Sequence, residues 1–139
     1  MKPANLQQSR NLQLQRDDGL DKVKIYEYKR LLEKNEIESA KNKANSISTD
    51  YKRKDAMDEI VMHEVTQLIE TNNIEAARNK AKIINSDSDR KNTIDKILTI
   101  EIDKLIEKQD FISATQKAKQ ISNEYDRKDV LEKISNSKK

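Results

Sequence analysis

Four stretches of the chain, each 37 residues after the last, read nearly alike: RDDGLDKV at 16–23, RKDAMDEI at 53–60, RKNTIDKI at 90–97 and RKDVLEKI at 127–134. The stretch from Leu68 to Ile97 aligns without a gap to that from Leu105 to Ile134, and 13 of 30 positions are identical. Chance would give about two or three, given ordinary composition. A fixed period of this size constrains the fold more than anything else here. Each unit is too small to bury its own apolar flank, so like units stack and cover one another.

Each period reads as two helices. Helix A is expected at Asp17–Glu33, Tyr51–Glu70 and Asp89–Glu107. In the second copy Met57, Ile60, Val61, Val65 and Leu68 recur at helical spacing. Beyond that stripe the copies add Ile25, Tyr28 and Leu32, then Met62, Val65 and Ile69, then Thr99, Ile102 and Ile106, an arc wide enough for more than one neighbour. Helix B is expected at Glu36–Ser48, Asn73–Asn85 and Asp110–Ser122. It opens on Ile37, Ile74 or Phe111 and continues Ala40, Ala44, Ile47, with the same pattern at Ala77, Ala81, Ile84 and at Ala114, Ala118, Ile121. The A-to-B turns, Lys34-Asn35, Thr71-Asn72 and Lys108-Gln109, are short, so paired helices run antiparallel. Paired alanines predict close approach by a neighbouring helix.

The charged residues at fixed register read as structural. Glu27, Glu64 and Glu101 lie inside the A stripe, and Lys43, Lys80 and Lys117 follow 16 residues later each time. In an antiparallel hairpin these fall side by side, which predicts three Glu–Lys bridges that set hairpin register. Asp50, Asp87 and Asn123-Glu124 occupy the B-to-A turns, where polar side chains cap a helix start. Arg53, Arg90 and Arg127 come three residues after these acids, a spacing that favours local ion pairs over a ligand-binding arginine row. Tyr51 and Tyr125 hold equivalent turn positions and are expected to pack there.

Composition supports an all-α reading. One Gly and one Pro leave little turn chemistry for hairpins, and 38% charged residues of both signs suit amphipathic helices. Net charge is +3, from 28 basic and 25 acidic residues, so the surface is mixed and not a basic patch. No apolar run approaches the roughly 20 residues that span a membrane. The start, MKPANLQQSRNLQLQRDDG, has no apolar core, so no secretory signal is read there. The expected compartment is the cytoplasm, with export by a route lacking such a signal left open. Residues 1–15 lose the pattern and are read as an irregular or disordered leading segment. Residues 16–135 are read as one helical-repeat domain, and 136–139 as a frayed tail.

The pattern A-x-x-x-A-x-x-I at 40–47, 77–84 and 114–121, followed by R-x-x-x-Φ-x-x-Φ (Φ apolar) at 53–60, 90–97 and 127–134, resembles the tetratricopeptide-like α-solenoid superfamily. The resemblance covers about residues 16–135. It implies a short right-handed α-solenoid of antiparallel helix pairs, about seven helices in three and a half repeats, with a concave face lined by the A helices. It also implies binding of peptides or protein surfaces. The usual Trp, Gly, Tyr and Pro of the 34-residue unit are absent from their expected places.

No motif carries chemistry. Gly19 is the only glycine, so no phosphate-binding loop exists, and there is no cysteine nucleophile. His63 is the only histidine, so there is no His pair for a metal. No catalytic, cofactor-binding or metal-binding residue is expected, and the chain is read as not an enzyme. Nucleic acid ranks last among partners, because acids dilute the lysines on nearly every turn and few aromatics are available for stacking.

The copies differ at three sets of outward A-helix positions: Tyr26, His63 and Ile100; Lys29, Thr66 and Asp103; Arg30, Gln67 and Lys104. These are the candidate partner-binding residues, with Tyr26, His63 and Ile100 foremost as anchors. The function read from the sequence is a non-enzymatic protein–protein interaction module, an adaptor or chaperone-like scaffold. The runner-up is a structural or self-associating repeat protein, a homo-oligomer joined through its end helices. An RNA-binding repeat comes third.

Overall fold

A computed structural model describes residues 6–139 of the chain. The described residues form seven helices and no strand: α1 (Leu6–Glu33), α2 (Ile37–Asn45), α3 (Asp50–Glu70), α4 (Ile74–Ala81), α5 (Asp87–Glu107), α6 (Phe111–Ala118) and α7 (Glu124–Ser137). The architecture is an all-α helical repeat in which consecutive helices pair. The chain divides into two compact units, Met1–Ile60 and Val61–Lys139, with the boundary inside α3. Among the described residues no helix is long and apolar enough to cross a membrane.

The A-to-B turns are built three times over in one way. Asn35, Asn72 and Gln109 have φ of 61°, 62° and 61°, the left-handed conformation that ends a helix. Around each, two backbone bonds close the helix end. Asn35 and Glu36 donate to Leu32 and Leu31 at 2.9 Å, and the pairs Asn72–Ile69, Asn73–Leu68, Gln109–Ile106 and Asp110–Leu105 repeat them. Asparagine tolerates this conformation better than most residues with a Cβ. Gln109 has no such advantage.

The B helices stop earlier than their apolar spacing predicts. Ile47, Ile84 and Ile121 donate to Ala44, Ala81 and Ala118, three residues back instead of four. This tightened turn ends the α-helix and swings each isoleucine into the core. The following A helix begins a residue or two before the expected start. Ser86 Oγ accepts from the Asp89 amide and Asn123 Oδ1 from the Asp126 amide. The second cap is therefore Ser86, and Asp87 sits in the first helical turn. The leading segment is helical from Leu6 onward and exposed. Its residues 1–5 lie outside the described residues, and at the other end α7 continues to Ser137, into the expected tail.

In the first unit, Tyr28 and Leu32 of α1 enclose a core with Ala40, Ala44 and Ile47 and with Ala56 and Ile60 of α3. In the second, Val61 and Val65 of α3 meet Ala77, Ala81, Ile84 and Ile97. Leu98 and Ile102 of α5 meet Ala114, Ala118, Ile121 and Ile134 of α7. All six paired alanines are completely buried. Burial of each isoleucine contributes about 1.5–3 kcal/mol, and the alanines let the helix backbones come near enough for that contact.

Candidate interaction surface

The repeats are tied by buried carboxylates. Asp21 is fully buried, and Asp58 and Asp95 are buried at the same register. Asp21 accepts the backbone amides of Ser48 and Thr49, at 2.8 and 3.1 Å, and the Thr49 hydroxyl at 2.7 Å. Asp95 does the same for the amides of Ser122 and Asn123, at 2.8 and 3.1 Å, and for the Ser122 hydroxyl at 2.7 Å. One carboxylate thus satisfies donors of the B-to-A turn that burial would otherwise leave unpaired. Burial alone would push the Asp21 carboxyl up. The bonds from Thr49 and Ser48 outweigh it and hold the carboxyl below the ordinary range. These aspartates were missed as structural residues, although the signal stood in the opening motif: LDKV, MDEI, IDKI and then LEKI. The fourth copy, Glu132, has no later turn to hold among the described residues and is exposed.

The repeated arginines close the same turn from the other side. Arg53, Arg90 and Arg127 each donate from Nη1 to the carbonyl of Ile47, Ile84 or Ile121, always at 2.9 Å. Arg53 also pairs with Asp50 at 2.5 Å, and Arg90 with Asp87. The local ion pair expected from spacing is therefore present twice, together with the carbonyl bond that spacing alone did not reveal. Arg127 keeps the carbonyl bond alone.

The Glu–Lys register also holds. Lys43 meets Glu27 at 2.7 Å, Lys80 meets Glu64 at 3.1 Å and Lys117 meets Glu101 at 3.0 Å. Glu101 additionally receives Arg78 of α4 at 3.1 Å, so one carboxylate of α5 joins helices on both sides of it. Elsewhere in the first unit, Tyr28 donates to Glu59 at 2.5 Å. Burial and that carboxylate push the phenol upward.

The outward A-helix positions divide by unit. In the first, Tyr26 is 61% exposed and Lys29 and Arg30 are exposed beside it. Arg30 donates to the Tyr26 hydroxyl at 3.0 Å, and its guanidinium lies 5.7 Å from the ring centroid. In the second, Thr66 is exposed but bonds its own helix at Met62. His63, Gln67 and Ile100 are half-buried. Asp103 pairs with Lys133 of α7 at 2.8 Å, and Lys104 reaches Asn72 in the α3–α4 turn. Asp103 and Lys104 are thus engaged within the fold.

Tyr51 and Tyr125 do not pack into their turns. Both are largely exposed, as is Ser88, the second residue of α5. Tyr51 borders an open groove of about 600 Å³ whose wall includes Leu14, Asp18, Thr49 and Lys52. Lys52 bonds Asp18, and that bond with its charge lowers the Asp18 carboxyl. Among the described residues no group of three or more His, Cys, Asp or Glu stands where it could hold a metal ion.

No family model, curated protein or solved structure matches the chain. Its functional reading rests on its own residues.

Proposed function

We propose that the chain is a non-enzymatic, tetratricopeptide-like interaction module of the cytoplasm that binds a peptide or protein surface along its A helices. The observation that carries this reading is the Tyr26–Arg30 pair. It is exposed, it is preorganised by its own hydrogen bond and ring contact, and it joins two of the three residue types enriched at contact hot spots. The contrast between repeated and varied positions adds support. Asp95, Arg90 and the Glu101–Lys117 bridge hold repeats together, so the groups with the most chemical reach serve the architecture. The copies diverge at the outward positions, and of these Tyr26, Lys29, Arg30 and Thr66 are exposed.

Affinity capture with the full chain tests this, run in parallel with Tyr26→Glu and Thr66→Glu chains whose melting temperatures match the parent. Partners held by the parent and lost from Tyr26→Glu support the reading. An unchanged capture profile from both variants overturns it.

A further inference from the structure

The α1 face that contains Arg16, Gly19, Leu20 and Val23 is open, and the rest of the chain shows what such a face receives. The same register positions are Arg53, Ala56, Met57 and Ile60 in α3, Arg90, Thr93, Ile94 and Ile97 in α5, and Arg127, Val130, Leu131 and Ile134 in α7. In all three the preceding B helix covers them. Ile60, Ile97 and Ile134 share their cores with the paired alanines and isoleucine of α2, α4 and α6. Each arginine donates to the last isoleucine carbonyl of that helix. In α1, Leu20 is 54% and Val23 52% exposed. Arg16 is exposed and donates to nothing among the described residues.

Gly19 adds a second line of evidence. It lies inside a helix, where glycine costs about 1 kcal/mol relative to alanine. Nothing within the fold asks for it, since a Cβ there would meet no atom within 4 Å. Its counterpart Ala56 is buried in the core it shares with Ala40 and Ala44 of α2. A helix seated on α1 would bury Gly19 against it in the same way.

We infer that this face is the receiving half of a repeat interface. It docks an amphipathic helix of the B type, with small residues at i and i+4 and isoleucine at i+7, other than α2, α4 and α6, whose own alanines are already buried. Leu20 and Val23 pack on that helix, Gly19 lets it approach, and Arg16 takes the carbonyl of its isoleucine. Tyr26 and Arg30 lie three and seven residues beyond Val23 on the same side of α1, but the docking uses residues 16–23 and does not rest on partner binding at Tyr26.

The probe is a synthetic peptide of residues 110–123, stapled between positions 112 and 116, which face solvent on α6. Circular dichroism first establishes that it is helical. It is titrated into the ¹⁵N-labelled full chain and followed by amide shifts and fluorescence anisotropy. The inference expects saturable binding with shifts centred on residues 16–23. It expects at least tenfold weaker binding by Val23→Glu, a half-exposed position whose change leaves the melting temperature in place. A peptide carrying Ala114→Leu and Ala118→Leu should lose binding to a similar degree. Absence of saturable binding to the parent overturns the inference, as does equal binding by Val23→Glu. Sedimentation of the chain alone provides the other arm. Concentration-dependent dimerisation abolished by Val23→Glu would assign the face to a second copy and overturn it.

Discussion

Asp95 on α5 accepts the backbone amide of Ser122, 27 residues further along the chain, at 2.8 Å. The bond links a buried carboxylate to the turn that begins the next A helix. Because Asn123 and the Ser122 hydroxyl donate to the same group, removing it strands donors inside the protein. Asp95→Ala is expected to cost about 1–3 kcal/mol, the range for a buried donor left unpaired. Glu132→Ala, at the same register but exposed, is expected to stay within about 0.5 kcal/mol. Urea denaturation of both variants checks the contrast, and equal effects would refute the assignment.

The Asp21 carboxyl is held below its ordinary value of 3.8. A depressed folded-state value means the stabilisation is complete above the unfolded value and fades as pH falls through the folded one. Thermal melts of the parent are therefore expected to be level with respect to this group at neutral pH and to drop below about pH 4. Asp21→Asn should melt lower at pH 7 and lose less on acidification. Parallel curves for the two chains over pH 7 to 2 would contradict this.

Ala81 is completely buried between α4 and the A helices that flank it in its own core. Ala81→Leu adds volume where no space exists and is expected to cost about 1–3 kcal/mol. An unchanged melting temperature would place the side chain in solvent.

Gln109 adopts φ of 61° at the α5–α6 turn, where its counterparts are asparagines. A left-handed residue with a Cβ costs roughly 1–2 kcal/mol, and glycine avoids that at some entropic expense. Gln109→Gly is expected to stabilise by about 0.5–1 kcal/mol. A denaturation midpoint that falls would show that the glutamine side chain contributes more than its backbone loses.

The helix pairs, their alanine contacts and the Glu–Lys bridges were legible in the sequence because each depends on spacing within one hairpin. Glu64 and Lys80 meet because an antiparallel pair with a short turn brings such positions opposite one another. Asp21, Asp58 and Asp95 repeated just as regularly, yet an acid on a helix ordinarily marks the solvent side. Only the position of a turn 27 residues downstream reveals that Asp21 and Asp95 face inward. The early ends of the B helices were hidden for a related reason. Ile47, Ile84 and Ile121 fit the helical spacing, and the tightened backbone that places them leaves no compositional trace. In the candidate surface, sequence divergence located Tyr26, but the partnerships of Asp103 and Lys104 came from neighbours that a linear reading does not bring together. The open face of α1 was visible as a fourth copy of the motif, while its exposure depended on which helix stands against it.

The carboxylate ties also bear on how the chain is made. Asp21 finds its partners at residues 48 and 49, and Asp95 at 122 and 123, so neither waits for a distant part of the polypeptide. Such short-range closure favours rapid folding. During translation each hairpin can lock as soon as the first residues of the next helix clear the ribosome, before the remainder has been synthesised.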